Sequence, residues 1–246
     1  MQVKPKVKLI RYTADPEATV ALAARLCYSD KELDDLTENI MAKDNSKFIA
    51  RLMDMGHLSP VEHASFTFSI EGVSRAFLAQ ITRHRIASFS VRSQRYVSES
   101  AFNYIIPPAI EAMGAAAVAR YEGQMATMMN WYRDWQSALG HGESSNEDAR
   151  FVLPNACETK MIVTMNAREL MHFFELRCCN RAQWEIRAVA WMMLEEAIKV
   201  APNLFSHCGP GCVNGGCPEG AKSCGRAAEV KKQHSEMLKS INTDNK

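Results

Sequence analysis

From Ala109 to Leu139 the chain carries no proline and is rich in Ala, Met, Glu and Gln, a composition that favours helix over any other regular structure. Gly114 and Gly123 leave open whether this is one long helix or two in series, and Gly140 ends it. A second stretch demands the opposite geometry. Between Glu62 and Ile70, residues Ala64, Phe66, Phe68 and Ile70 alternate with His63, Ser65, Thr67 and Ser69, which is the period of a strand with one face on a core. Gly72 is expected to break that strand. A chain holding both patterns must pack helices against a sheet, and 47% hydrophobic residues in 246 supply enough apolar surface for a full core and exclude disorder.

Further helices follow from their boundary residues. Asp15-Pro16-Glu17 predicts a start with a capping carboxylate and a proline at the first helical position, running to about Cys27. Others are predicted over Lys47 to Met55, closed by Gly56, and from Ser74 to about Arg83. HGESSNED reads as a polar loop before a short helix around Arg150, which Pro154 closes. Thr159 to Met165 is rich in strand formers, helix signals return from Asn166 through Cys178, and Ala182 to Val200 forms another helix stopped by Pro202. The fold class is α+β and helix-rich, with few strands and no internal repeat.

Charge and cysteine usage narrow the function classes. Lys and Arg number 29 against 28 acidic residues, so a net charge of +1 gives no global pull toward nucleic acid or an anionic membrane. No signal-peptide core or membrane-length apolar run is visible, and the cytoplasm is the expected location. Cys27, Cys157, Cys178 and Cys179 are scattered through a core-rich chain and read as reduced thiols. From Ser206 the composition changes to CGPGCVNGGCPEGAKSCG and then a charged tail, read as an appendage: residues 1–205 form the main domain and 206–246 a Cys/Gly-rich tail.

The segment RHRIASFSVRSQRY is the most unusual in the chain. Arg83, Arg85, Arg92 and Arg95 crowd together with His84, Ser88, Ser90 and Ser93, and no acid appears until Glu99. Guanidinium groups bind phosphate through planar, paired hydrogen bonds, and serine hydroxyls add contacts. A solvated basic loop, or ion pairs to acids elsewhere in the chain, fits the composition equally well. His84, between two arginines, reads as poor core material and so as solvated if it binds nothing.

Arg83-His84-Arg85, seven residues and then Ser93-Gln94-Arg95-Tyr96 resemble the signature of the flavin-dependent thymidylate synthases. Upstream, Gly56-His57-Leu58-Ser59-Pro60-Val61-Glu62-His63 resembles that family's segment leading into a strand. Downstream, Arg150 to Pro154, Thr164 to Leu170, His172-Phe173-Phe174, Leu176-Arg177 and Arg181 to Ile186 follow in the family's order, so the resemblance spans about residues 8 to 205. It implies a single domain around a small antiparallel sheet. It also implies a homotetramer with FAD between subunits, which uses NADPH and methylenetetrahydrofolate to convert dUMP to dTMP without a protein covalent nucleophile. Carried over residue by residue, Ser59, Arg83, His84, Arg85, Asn166, Arg168 and His172 contact FAD. Gln80, Arg83, Ser93, Gln94, Arg95, Arg150 and Arg177 bind dUMP, His57 and Glu62 line the same pocket, and Arg177 is the catalytic residue. No metal, nucleic acid or membrane is implied.

Two readings temper the resemblance. Where many members carry Asn-Glu this chain has Ser90-Val91, so Val91 can offer only its backbone. Arg168 and His172, spaced i, i+4, share a helix face, whereas Arg177 lies about half a turn from Arg168 and cannot aim at the same narrow spot if the helix is regular. The alternative function class is a binding module with Cys208, Cys212, Cys217 and Cys224 on zinc and the arginine loop on nucleic acid. Spacings of C-x3-C-x4-C-x6-C are not the paired knuckles of a zinc site, and Phe89 and Tyr96 are few stacking partners.

Overall fold

The computed structural model describes residues 1–244. The chain runs β1 (Lys6–Tyr12), α1 (Pro16–Leu26), α2 (Leu33–Met41), α3 (Ser46–Asp54), β2 (Ser65–Ser74), α4 (Arg75–Ile81) and β3 (Ala87–Val91). It continues through α5 (Pro108–Glu111), α6 (Ala115–Ala138), α7 (Glu143–Ala149), β4 (Glu158–Asn166), α8 (Ala167–Arg177), α9 (Trp184–Val200), α10 (Pro202–Phe205) and α11 (Ala227–Asp244). The four strands form one antiparallel sheet in the order β1-β2-β4-β3, so the helix-rich α+β class is what the chain adopts.

Contacts divide the molecule into two compact units. The first comprises residues 1–6, 70–83 and 89–162, and the second 7–69, 84–88 and 163–246. In the second unit Phe66 packs edge-on against Phe205, which meets Phe174, while Thr67 and Thr164 hydroxyls pair at 2.9 Å between β2 and β4. In the first, α6 lies along α5 and α7, and buried Phe102, Tyr104, Met125 and Cys157 form its satellite core.

The alternation on β2 holds: Ala64, Phe66, Phe68 and Ile70 are all buried. Gly72 does not end the strand. It sits inside β2 at φ 70°, and a Cβ there would lie 2.0 Å from the Lys4 carbonyl oxygen, so the position needs glycine for a close backbone approach. Its N–H donates to the buried Glu158 carboxylate at 3.1 Å, which also accepts from Asn103.

Gly114, at φ 91°, separates α5 from α6, whereas Gly123 is absorbed within α6. Asp15 does not cap α1 with its side chain. It takes a left-handed conformation, and only the proline and Glu17 act as expected. HGESSNED is not a loop either, because Glu143–Ala149 is helical, with Asn146 buried and bonded to Tyr132, Gln136 and the Arg95 carbonyl. The basic segment after Arg85 contains β3, a strand that no pattern in the sequence predicts.

The tail from Ser206 is packed within the second unit, not loose. Cys208, Cys212, Val230 and Ile241 are buried, α11 lies on α9, and Arg181 anchors the loop through Glu219 and the Lys222 carbonyl. The expected boundary between 205 and 206 falls inside this unit.

Candidate functional site

Helix α8 organises the second unit's polar residues. Its N-cap is Asn166, whose Oδ1 accepts from the Glu169 N–H at 2.9 Å, ending β4 and starting the helix in one step. Arg168 follows in the first turn and forms an ion pair with Glu62 from the 3-10 turn Pro60–His63. Asn166, Arg168, His172 and Glu62 line one pocket of about 570 Å³ together with Leu58, Ile86, Met171, Glu169 and Glu175. Its wall is therefore one face of α8, as the i, i+4 spacing of Arg168 and His172 requires. Ser59 is exposed at the start of the same turn. His57 does not join them. It lines a separate cleft of about 610 Å³ among α1, α2 and α3, because Gly56 turns the chain at φ 69° before the strand begins.

Arg177 closes α8 and faces a different neighbour from Arg168, in line with their angular separation. Its Nε–H donates to His84 Nε2 at 3.1 Å, and His84 Nδ1 lies 2.8 Å from Glu169 Oε1. His84 is 5% exposed, so the ring is not solvated, which removes the solvated-loop alternative to a ligand contact. A carboxylate 85 residues away satisfies the ring and makes its burial tolerable. Since arginine can only donate, His84 Nε2 must be an unprotonated acceptor and the ring proton resides on Nδ1, donated to Glu169. Burial, opposed by the Glu169 hydrogen bond and reinforced by the Arg177 and His172 charges, lowers the His84 pKa and keeps the ring neutral. Arg85 is exposed, and among the described residues no ion pair engages it or Arg83.

The first unit gathers Gln80, Arg83, Ser93, Gln94, Arg95 and Arg150. Arg83 is exposed just past α4, and Gln80 donates back to the Ala76 carbonyl. Ser93 Oγ accepts from the N–H groups of Arg95 and Tyr96, shaping the turn that follows β3. Arg95 meets Glu143 and Glu147 at 2.8 Å each, and Arg150 Nε donates to the Glu147 carbonyl, so α7 orders both arginines. Gln94 is buried and donates to Cys157 Sγ at 3.6 Å. Arg92, by contrast, pairs with Glu99, a carboxylate only 1% exposed, whose pKa burial raises against the pull of Arg92.

The family model of the thymidylate synthase complementing protein matches residues 8–203. The chain is also 52% identical to the flavin-dependent thymidylate synthase of Clostridium tetani, over 92% of this chain and 96% of that one. The chain belongs to the flavin-dependent thymidylate synthases. A second member, from Geobacter sulfurreducens, is 53% identical over 94% of this chain and 99% of its own. The enzyme of Pyrococcus furiosus, a more distant member, is 43% identical over 87% and 89%.

Within this flavin-dependent thymidylate synthase, three acids that partner the candidate residues are not evident from the sequence motifs. Glu169 could have been noticed from Asn166-x-x-Glu169, the spacing of a helix cap with an acid three residues on. Glu143 and Glu147 lay in a stretch read as loop, which hid their i, i+4 relation. Among the described residues no group of three or more His, Cys, Asp or Glu side chains could hold a metal ion, and no helix is long and apolar enough to cross a membrane.

Proposed function

We propose that this thymidylate synthase binds FAD and converts dUMP to dTMP, with methylenetetrahydrofolate as one-carbon donor and NADPH as reductant. The observation that carries the reading is family membership over 8–203, together with the ordered Arg177–His84–Glu169 chain and the α8 pocket. Bound FAD would supply the redox chemistry of the transfer, which no side chain can provide. Asn166, Arg168 and His172 offer it a polar wall, and Ser59, Arg83, His84 and Arg85 complete the assigned contacts. The donor set suits an anionic cofactor: Arg85 and Arg83 are exposed guanidiniums without an ion pair among the described residues, and Arg168 has only a half-exposed Glu62 to displace.

For dUMP, Gln80, Arg83, Ser93, Gln94, Arg95 and Arg150 are the assigned binders, with Arg95 on the phosphate. Arg177 is the assigned catalytic residue. As C5 of uracil becomes nucleophilic, negative charge spreads toward N3 and its flanking carbonyls, and a fixed guanidinium stabilises that charge more than it stabilises neutral substrate. A covalent nucleophile in the protein is not needed. Burial pushes the Cys157 thiol up to about 12 and raises Cys178 well above its ordinary value, so both stay protonated, and Ser93 Oγ is occupied by backbone N–H groups.

The proposal extends to assembly as a cytoplasmic homotetramer with FAD held between subunits, and to residues 1–205 as the catalytic domain with 206–246 dispensable for chemistry. Purified protein should be yellow, with flavin absorption that changes on addition of dUMP, and should sediment as a tetramer. It should release tritium from C5-labelled dUMP only when methylenetetrahydrofolate and NADPH are both present. Colourless protein that fails to bind added FAD, or product formed without reductant, would reject the assignment.

A further inference from the structure

Glu169 occupies the third position of α8, where an acid commonly turns back to cap the helix start. Here its side chain is diverted. Oε1 lies 2.8 Å from His84 Nδ1, and both residues are buried, at 7% and 5% exposure. The other ring nitrogen receives the Arg177 Nε–H at 3.1 Å. One helix therefore grips a single imidazole with an acceptor from its first turn and a donor from its last. Edge-on packing of Phe173 at 5.0 Å and of His172 at 6.0 Å fixes the ring plane between them.

We propose that Glu169 is a positioning residue for Arg177: by holding the Nδ1–H tautomer of His84, it presents a lone pair at Nε2 that fixes the plane of the Arg177 guanidinium. If the ring switched tautomer, Nε2–H would confront Nε–H, two donors with nothing to accept, and the guanidinium would swing away. The charged and titratable groups facing His84 are Glu169, Arg177 and His172, all from α8. What Glu169 contributes is a hydrogen-bond acceptor at a set distance, more than a negative charge. The inference rests on the catalytic reading of Arg177 and adds a residue that acts through it.

The charge and the acceptor can be separated. Glu169→Gln keeps an acceptor oxygen at the same reach without the charge, whereas Glu169→Asp keeps the charge and withdraws it by one methylene. Because a misplacement of about 1 Å can cost up to ~100-fold in rate, Asp should lower kcat roughly tenfold or more while Gln stays within about threefold. KM for dUMP and flavin content should change little in both. Either variant should cost much less when introduced into Arg177→Lys, since there the guanidinium to be positioned is gone.

The reverse ranking, with Asp active and Gln impaired, would overturn the proposal in favour of a charge effect. So would losses that multiply fully with Arg177→Lys, which would make Glu169 act elsewhere. Full turnover by Arg177→Lys itself would remove the catalytic reading of Arg177, and that failure is told apart because it appears with Glu169 intact. Both Glu169 variants keep polar side chains of similar size, and flavin absorbance with thermal melting confirms that each is folded before the rates are compared.

Discussion

In each unit of this molecule one arginine stands out, and the two are held in opposite ways. In the second, Arg177 is tied to a buried neutral imidazole whose far side is tied to a buried acid, so each donor has one acceptor and the chain has a direction. In the first, Arg95 lies between two glutamates, with all three side chains about 45% exposed, an arrangement that water and salt can remake. Arg92 with Glu99 is the exception there, a partly exposed guanidinium on a buried carboxylate, and it is incompletely satisfied. Arg92 Nε and Glu99 Oε1 have no hydrogen-bond partner among the described residues. An arginine tied to a buried ring suits orientation, and an open, loosely matched one suits exchange of a carboxylate for another anion.

The sharpest way to break that contrast begins at the buried carboxylate in the first unit. Arg92→Ala leaves Glu99 buried without its partner and should destabilise the protein by about 3–5 kcal/mol, whereas replacing both residues by apolar ones of similar size should recover most of that. Denaturant midpoints of the flavin-loaded protein measure it, and a loss near zero would mean the carboxylate is not enclosed in solution. Next, Arg177→Lys should lower turnover on the order of 100-fold at saturating dUMP with flavin retained, since lysine keeps the charge and loses the planar fork. Arg95→Ala should do the reverse, raising KM for dUMP about tenfold with kcat nearly kept, the expected cost of one charged hydrogen bond. Equal effects on kcat from both variants would erase the distinction between the units.

Acidification gives a smaller, graded test. The folded-state pKa of His84 is depressed by burial, and those of His207 and His234 are depressed for the same reason, so each holds fewer protons folded than unfolded below pH about 6.5. Stability is present above that pH and lost as pH falls, by at most about 1.4 kcal/mol per pH unit for each histidine. Melting temperature should drop from about pH 7.5 to about 5.5, and turnover should drop only at lower pH, where the folded His84 takes up a proton at Nε2 and repels Arg177. A melting temperature that rises over this range would contradict the neutral tautomer. The smallest effect belongs to the open side: Glu143→Ala should change stability by less than about 1 kcal/mol, as exposed ion pairs do, read in the same melts.

How much of this was legible depended on the range of the forces involved. The alternation along β2 and the return of helix signals from Asn166 are local, and their residues announce them, whereas Gly114 and Gly123 look alike as possible breaks and only Gly114 is one. Gly72 was misread because its role is set by Lys4, a neighbour distant in sequence that leaves no room for a Cβ. The burial of His84 was hidden for the same reason, since its flanking arginines suggest solvent and only Glu169 makes that burial tolerable. Helix α7 is almost wholly polar, and its helicity comes from packing on α6 and from Asn146 bridging Tyr132, Gln136 and the Arg95 carbonyl, none of which has a sequence period. The site's positive residues were visible as types, while the acids that select among them became visible only with the fold.

Helix α8 also sets a length standard for the site. From Glu169 to Arg177 the axis rises about 12 Å, and because helical side chains lean toward the N-terminus, Arg177 reaches back along the helix to meet His84. One residue inserted between them would move the far end by about 1.5 Å and rotate it by about 100°, carrying the guanidinium off the ring altogether. The residue count of α8 between these two positions therefore cannot drift. Indels, harmless in most surface helices, would here break the Arg177–His84–Glu169 chain.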